Sequence, residues 1–248
     1  MKVGLFIPCY VDQFYPQVGI ATLQLLEKFG CKVSYPAKQT CCGQPMANSG
    51  YEHLTYDCNR LFISNFSEYD YIVSPSGSCV LHIKDHLHDD KREVEATHVR
   101  THIYELSEFL TDILKVENLV AHFPHRVGVH QSCHGQRGLH VAQMSELVAP
   151  PFSKPEKLLN MVTGLELVKL DRVDECCGFG GTFAVKFDSI SSAMAEQKIN
   201  NALEMEADYI ISTDASCLIN LQAYIDQHSL KLKTMHIADV LASGWGNV

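Results

Sequence analysis

Eight of the ten cysteines stand in an order that occurs twice along the chain. In each half a single cysteine comes first, a Cys-Cys-Gly motif follows, and a further cysteine completes the set. The first set is Cys9, Cys41, Cys42 and Cys79, and the second set is Cys133, Cys176, Cys177 and Cys217. Four thiolates suit either a tetrahedral zinc ion or an iron-sulfur cluster, because both prefer soft sulfur ligands.

The adjacent cysteines favour a cluster over a single ion. Successive side chains tend to diverge, so Cys41 and Cys42 are awkward ligands for one small ion but can reach different metal corners of a cluster. Structural zinc remains an alternative, mainly for the first half. A thiol-disulfide cycle within each pair is a second alternative, although no CxxC motif supports it. Cys31 and Cys58 have no counterpart in the other half and are interpreted as plain thiols.

Segments around the cysteines repeat as well. The sequence Asp70-Tyr-Ile-Val-Ser74 returns as Asp208-Tyr-Ile-Ile-Ser212, and a Ser-Cys pair follows at the same distance in both copies. The copies differ in length between the motifs and not within them. We therefore predict two tandem domains, residues 1–124 and 125–248, which pack closely because no Gly/Ser-rich or Pro-rich linker joins them.

Hydrophobic periodicity predicts an α/β fold in both halves. Short apolar runs predict strands at residues 3–7, 32–35, 71–74, 127–130, 165–170 and 209–212, and helical spacing predicts helices at 16–29, 51–66, 80–88 and 192–205. Alternating strands and helices imply parallel sheets of the Rossmann-like type. The carboxyl ends of parallel strands share one edge of the sheet, where ligand crevices form. Each cysteine of a set follows a strand, so we expect the four thiols of each set to meet at that edge.

These residues resemble the cysteine-rich CCG-domain family, and the resemblance covers both halves. That family includes the cysteine-rich component of heterodisulfide reductase and the iron-sulfur components of glycolate- and glycerol-3-phosphate-oxidising enzymes; this chain looks most like its lactate-utilisation branch. The resemblance implies that all eight cysteines are ligands of one or two clusters, of the 4Fe-4S type, with zinc as an alternative in one site. It also implies electron transfer during oxidation of L-lactate to pyruvate, in a complex with other iron-sulfur proteins. A component of a glycolate or glycerol-3-phosphate complex, and a zinc-stabilised scaffold, are the alternatives.

The chain departs from the family at two positions. The fuller motif ends in CxxC, which gives five cysteines per repeat, but Ser76 and Asp214 occupy the first position of that pair. An oxygen or an exchangeable ligand could then complete a cluster and leave an iron open to the carboxylate or hydroxyl of a 2-hydroxy acid. A cluster whose iron atoms all have protein ligands would only relay electrons.

Several histidines lie near the cysteines. His130 and His134 flank Cys133 and could act as catalytic groups or hydrogen-bond cluster sulfurs, and His130 as a strand residue could equally pack in the core. His82 and His86 fall on one face of a predicted helix, where they could be metal ligands. Because acidic residues surround them, we interpret that face as solvated.

Composition limits the remaining function classes. The formal charge of -9 over 248 residues, with no run of Lys or Arg, disfavours binding to nucleic acid. The N-terminal apolar run is too short to span a membrane and lacks the cleavage site of a signal peptide, and no later window is apolar enough to span. Ten cysteines without a secretion signal favour metal or redox chemistry in the reducing cytoplasm over a disulfide framework.

Overall fold

Two four-stranded parallel sheets form the framework of the protein. The computed structural model describes residues 1–244. Its strands are β1 (Lys2–Leu5), β2 (Lys32–Ser34), β3 (Tyr71–Ser74), β4 (Ile103–Glu105), β5 (Arg126–His130), β6 (Glu166–Val168), β7 (Tyr209–Ser212) and β8 (Lys233–His236). They are ordered β2-β1-β3-β4 and β6-β5-β7-β8, and every pairing is parallel. The predicted fold class, α/β with two tandem Rossmann-like units, is confirmed.

Helices connect the strands and cover the sheets. They are α1 (Cys9–Phe14), α2 (Pro16–Lys28), α3 (Gln44–Asn48), α4 (Tyr56–Phe66), α5 (Gly77–His86), α6 (Glu93–His102), α7 (Leu106–Glu108), α8 (Lys154–Leu159), α9 (Thr182–Lys186), α10 (Asp188–Glu204), α11 (Ala215–Gln227) and α12 (Ile237–Leu241). Short 3₁₀ or π turns occupy Glu52–Leu54, Phe109–Ile113 and His134–Gly138. Within residues 1–244, no helix combines the length and the apolar character that crossing a bilayer requires.

Helix boundaries differ from the sequence prediction where polar side chains set them. The predicted helix 51–66 begins only at Tyr56, after the 3₁₀ turn Glu52–Leu54. The helix predicted from Val80 begins at Gly77, because the Ser76 hydroxyl caps it by accepting the Cys79 N–H at 3.4 Å. The fourth strand of each sheet, β4 and β8, was not predicted, since neither segment carries a continuous apolar run.

One apolar core spans both halves. It joins Val3 and Leu5 of the first sheet to Val127 and Val129 of the second. Helix α12 follows the last strand of the second half but packs against α2 of the first half. The buried His236 connects the halves as well, because its Nε2 lies 3.1 Å from the Pro75 carbonyl oxygen. The two halves are therefore packed into one body, as expected from the lack of a linker.

Because of this shared core, we predict that the two halves unfold together. Leu241 of α12 is fully buried, so Leu241→Ala should lower the free energy of unfolding by about 2–5 kcal/mol. Denaturant unfolding should show the same single transition for probes in either half, and Leu241→Ala should move that whole transition to lower denaturant concentration. The control is Val185→Ala, at a side chain that is 84% exposed, which should change stability little; separate transitions for the two halves would contradict a common core.

Candidate metal centre

All eight cysteines of the two sets lie at the carboxyl edges of the sheets. Cys9 is the first residue of α1 after β1, and Cys79 lies in the first turn of α5 after β3. Cys133 and Cys217 hold the matching positions after β5 and β7. The Cys-Cys-Gly motif follows β2 in the first half and β6 in the second. The placement predicted from the parallel topology is thus the one observed.

The four thiols of the first set form a continuous chain of contacts. Cys9 Sγ lies 3.9 Å from Cys41 Sγ, and Cys42 is hydrogen-bonded to both Cys41 and Cys79. Cys41 accepts hydrogen bonds from Cys42, from Cys9 and from the Gly43 N–H at 3.4 Å. These donors stabilise its thiolate and lower the pKa of Cys41 to about 2. The pKa values of Cys9 and Cys42 are raised, chiefly because each donates to Cys41.

The second set repeats this arrangement. Cys176 accepts hydrogen bonds from Cys133, from Cys177 and from the Gly178 N–H at 3.4 Å, which lower its pKa to about 2. Cys177 is also hydrogen-bonded to Cys217. Each set therefore presents four sulfur donors linked in one chain of contacts, and hydrogen bonds favour one of the four as a thiolate. This donor set fits zinc or an iron-sulfur cluster. That the eight cysteines are ligands stays a prediction.

Backbone conformation explains the glycine of each Cys-Cys-Gly motif. Gly43 and Gly178 have φ of 96° and 87°, in the left-handed region that side chains disfavour. A Cβ at Gly178 would also lie 2.7 Å from the Ser191 carbonyl oxygen. The left-handed turn directs the glycine N–H back to the sulfur of the first cysteine of the pair.

Both thiol sets line one crevice between the halves. The crevice has a volume of about 880 Å³, including its open mouth, and all eight cysteines border it. The rings of Tyr10 and Phe179, one from each half, meet edge to face at 5.5 Å. Gln44 Nε2 and His134 Nε2 approach to 3.5 Å across the same crevice. The two candidate centres therefore face a common space.

Ser76 and Asp214 contact each other at the seam of the two halves. Asp214 Oδ1 accepts hydrogen bonds from Ser76 Oγ at 2.8 Å, from Ser78 Oγ at 2.8 Å and from Ser78 N–H at 3.1 Å. Asp214 is only 1% exposed. The positions that would carry the fifth cysteines are thus used to join the halves, and the Ser76 hydroxyl is occupied by Asp214 and by the Cys79 N–H.

The interpretation of His82 as a solvated residue is wrong. His82 is only 4% exposed, and its ring stacks on His86 at 4.9 Å. It lies beside the first Cys-Cys-Gly turn, since a Cβ at Gly43 would be 3.5 Å from His82 Nε2. Burial, followed by the neighbouring His86, lowers the pKa of His82 to about 4, so it is neutral at pH 7. The sequence pattern of acidic neighbours did not reveal this burial.

His130 joins the second thiol set, whereas His134 is exposed. A ring nitrogen of His130 and the sulfurs of Cys177 and Cys217 all lie within 4.8 Å of one another. Burial, followed by the charge of Lys198, lowers the pKa of His130 to about 4.

Lys198 was not singled out in the sequence. It is 1% exposed on α10, and its Nζ donates to the Arg172 carbonyl oxygen at 2.5 Å. The sequence could have indicated its burial, because Lys198 falls on the same helix face as the apolar residues Ala195, Ile199 and Ala202. A lysine within such a face is seldom fully buried without a partner.

Family comparison accounts for the doubled pattern. The sequence profile of the CCG cysteine-rich domain matches residues 3–84 and 127–222, one stretch in each half. The chain belongs to the CCG cysteine-rich domain family. Each of the two CCG stretches contains one complete cysteine set, so the resemblance inferred from the motifs is confirmed.

Relatives within the CCG family cover nearly the whole chain. Lactate utilization protein A of Geobacillus kaustophilus (strain HTA426) is 44% identical over 97% of this chain and 98% of that protein. Lactate utilization protein A of Geobacillus thermodenitrificans (strain NG80-2) is 42% identical with the same coverage. Among solved structures, glutamate racemase isoform RacE1 from Bacillus anthracis is 12% identical, covers 97% of this chain and 78% of that chain, and gives a TM-score of 0.39, too low to carry an argument.

The left-handed glycine makes a testable prediction for the CCG turn. Gly178→Ala should lower the free energy of unfolding by more than about 1 kcal/mol, because it combines backbone strain with a clash against Ser191. It should also reduce metal uptake by the second centre. The matched control is Gly30→Ala, which has φ of 80° but no atom within 4 Å of the new Cβ. Equal effects of the two substitutions on stability and metal uptake would argue against a special role of the turn.

Proposed function

We propose that this protein is an iron-sulfur electron carrier that takes part in the oxidation of L-lactate to pyruvate within a multiprotein complex. The observation that carries the proposal is the pair of four-thiol sets lining one crevice. The relatives named lactate utilization protein A support the substrate, since they match 97% of this chain. They favour lactate over glycolate and glycerol-3-phosphate.

The family resemblance and the backbone donor beside the thiols support a cluster over a single ion in each centre. The adjacent thiols Cys41 and Cys42 are in hydrogen-bond contact with each other while each also contacts another member of the set. The 3.9 Å between the Cys9 and Cys41 sulfurs would also suit one tetrahedral zinc ion, whereas the Gly43 N–H resembles the donors that stabilise cluster sulfurs. We therefore assign Cys9, Cys41, Cys42 and Cys79 to one cluster and the second set to another.

Two centres suit the electron count of the reaction. L-lactate gives up two electrons and two protons when it becomes pyruvate, whereas an iron-sulfur cluster exchanges electrons singly. Because both thiol sets border one crevice, two one-electron centres would lie close enough to exchange electrons. The bound clusters would supply this redox chemistry, and the protein's thiols would hold them.

The crevice favours relay of electrons over direct oxidation of substrate. Among its lining residues, all within the described part of the chain, there is no lysine or arginine to pair with the lactate carboxylate. Ser76, which could have offered an exchangeable oxygen, is engaged by Asp214. We therefore place the lactate site on a partner iron-sulfur protein of the complex. The ten cysteines are all free, which fits work in the reducing cytoplasm.

Metal analysis tests the cluster assignment. Protein purified without oxygen should contain iron and acid-labile sulfide, and Cys177→Ser should remove about half of both together with the absorption of the second centre. Cys58→Ser is the control, because Cys58 is a half-buried cysteine outside both sets and should leave the iron content unchanged. Zinc without acid-labile sulfide would instead support a zinc-stabilised scaffold and reject the proposed function.

Reduction by substrate tests the role in lactate oxidation. When the protein is mixed with partner iron-sulfur proteins of a lactate-oxidising complex, L-lactate should bleach its visible absorption, because electrons reach its clusters from the partner. Glycolate and glycerol-3-phosphate serve as controls and should bleach it more slowly. Bleaching of the isolated chain by L-lactate would contradict the relay assignment, since it would place the substrate site on this protein.

A further inference from the structure

The duplicated halves allow each residue beside one centre to be compared with its counterpart beside the other. When β1 is matched to β5 at the corresponding Gly4 and Gly128, Phe6 corresponds to His130. The buried positions of α4 and α10 match in the same way, with Phe62 and Ile63 corresponding to Lys198 and Ile199. A polar pair in the second half thus replaces an aromatic pair in the first.

The aromatic pair of the first half forms an apolar floor beside its thiols. The rings of Phe6 and Phe62 meet edge to face at 4.8 Å and belong to the same buried cluster as Cys42 and Cys79. Neither side chain can bind a metal or donate a hydrogen bond. The side chains packed beneath the first set are therefore hydrocarbon at these two positions, although His82, Gln44 and Ser78 lie nearby.

In the second half, the matching His130 is buried without a hydrogen-bond partner in the described part of the chain. It is 1% exposed, and neither of its ring nitrogens has a hydrogen-bond partner among residues 1–244. Leaving a buried polar group without a partner costs about 1–3 kcal/mol. One of its ring nitrogens, however, lies within 4.8 Å of the sulfurs of both Cys177 and Cys217. The unsatisfied nitrogen and two thiols therefore converge on one point.

We propose that His130 is a nitrogen ligand of the second metal centre, so that this centre has a mixed sulfur and nitrogen donor set while the first has sulfur alone. The proposal rests on the metal centres of the proposed function. It gives the buried imidazole the partner that the protein itself does not provide.

Lys198 adds an independent reason for the two centres to differ. Its buried Nζ donates to the Arg172 carbonyl oxygen in the loop that leads from β6 to Cys176, whereas the first half has Phe62 at the matching position. A positive charge near a cluster favours its reduced, more negative state. The second centre should therefore have the higher reduction potential, and electrons should flow to it from the first.

The test exchanges the counterpart residues. His130→Phe gives the second half the phenylalanine that the first half has at Phe6. In protein labelled with ¹⁵N-histidine, pulsed electron paramagnetic resonance should detect nitrogen coupled to the reduced second centre, and His130→Phe should abolish that coupling. His134→Phe, at the exposed neighbour of Cys133, is the control and should retain the coupling. His130→Asn, of smaller volume, provides a second variant if the phenylalanine variant does not fold.

The outcomes separate this inference from the proposed function. Absence of nitrogen coupling in the unaltered protein, or its persistence in His130→Phe and His130→Asn, would overturn the ligand assignment while leaving the electron carrier intact. If the protein contains zinc without sulfide, the electron-carrier function fails. X-ray absorption at the zinc edge then tests the same ligand: a nitrogen neighbour that is lost in His130→Phe supports the inference, and a shell of sulfur alone rejects it.

Discussion

Parallel strand pairing is the constraint on which both candidate centres depend. Parallel strands must be joined by crossovers, so the loops that follow them all emerge at the same edge of the sheet. In this protein three such loops per half carry the cysteines. The edge position, together with the left-handed Gly43 and Gly178 that turn the motif back on itself, brings sulfurs from distant parts of the sequence into contact.

The seam between the halves turns two sites into one crevice. The shared apolar core fixes the halves, and the buried Asp214 carboxylate accepts three hydrogen bonds from the loop that contains Ser76 and Ser78. A buried carboxyl group needs hydrogen-bond partners in good geometry. Such a contact can specify how the halves meet, which apolar packing alone does less strictly. The polar pair at these positions therefore has a structural explanation.

A duplicated scaffold does not impose duplicated chemistry. The backbone, the thiol contacts and the glycine N–H donors repeat closely in the two halves, whereas the side chains beneath the thiols do not. Phe6 and Phe62 pack as hydrocarbon, while His130 and Lys198 bring a nitrogen and a positive charge to the same depth. A pair of centres that share geometry but differ in potential can pass electrons in one direction.

Local patterns in the sequence predicted the duplication, the cysteine sets and the fold class: apolar strands such as β3 and β7, helical periodicity and the repeated Cys-Cys-Gly motif. The contacts of the buried polar residues became visible only in the folded protein. The burial of His82, the approach of His130 to two sulfurs, the meeting of Ser76 with Asp214 and the packing of α12 on the opposite half all join residues far apart in sequence. Such contacts follow from tertiary packing within and between the two halves, and no local pattern encodes that packing.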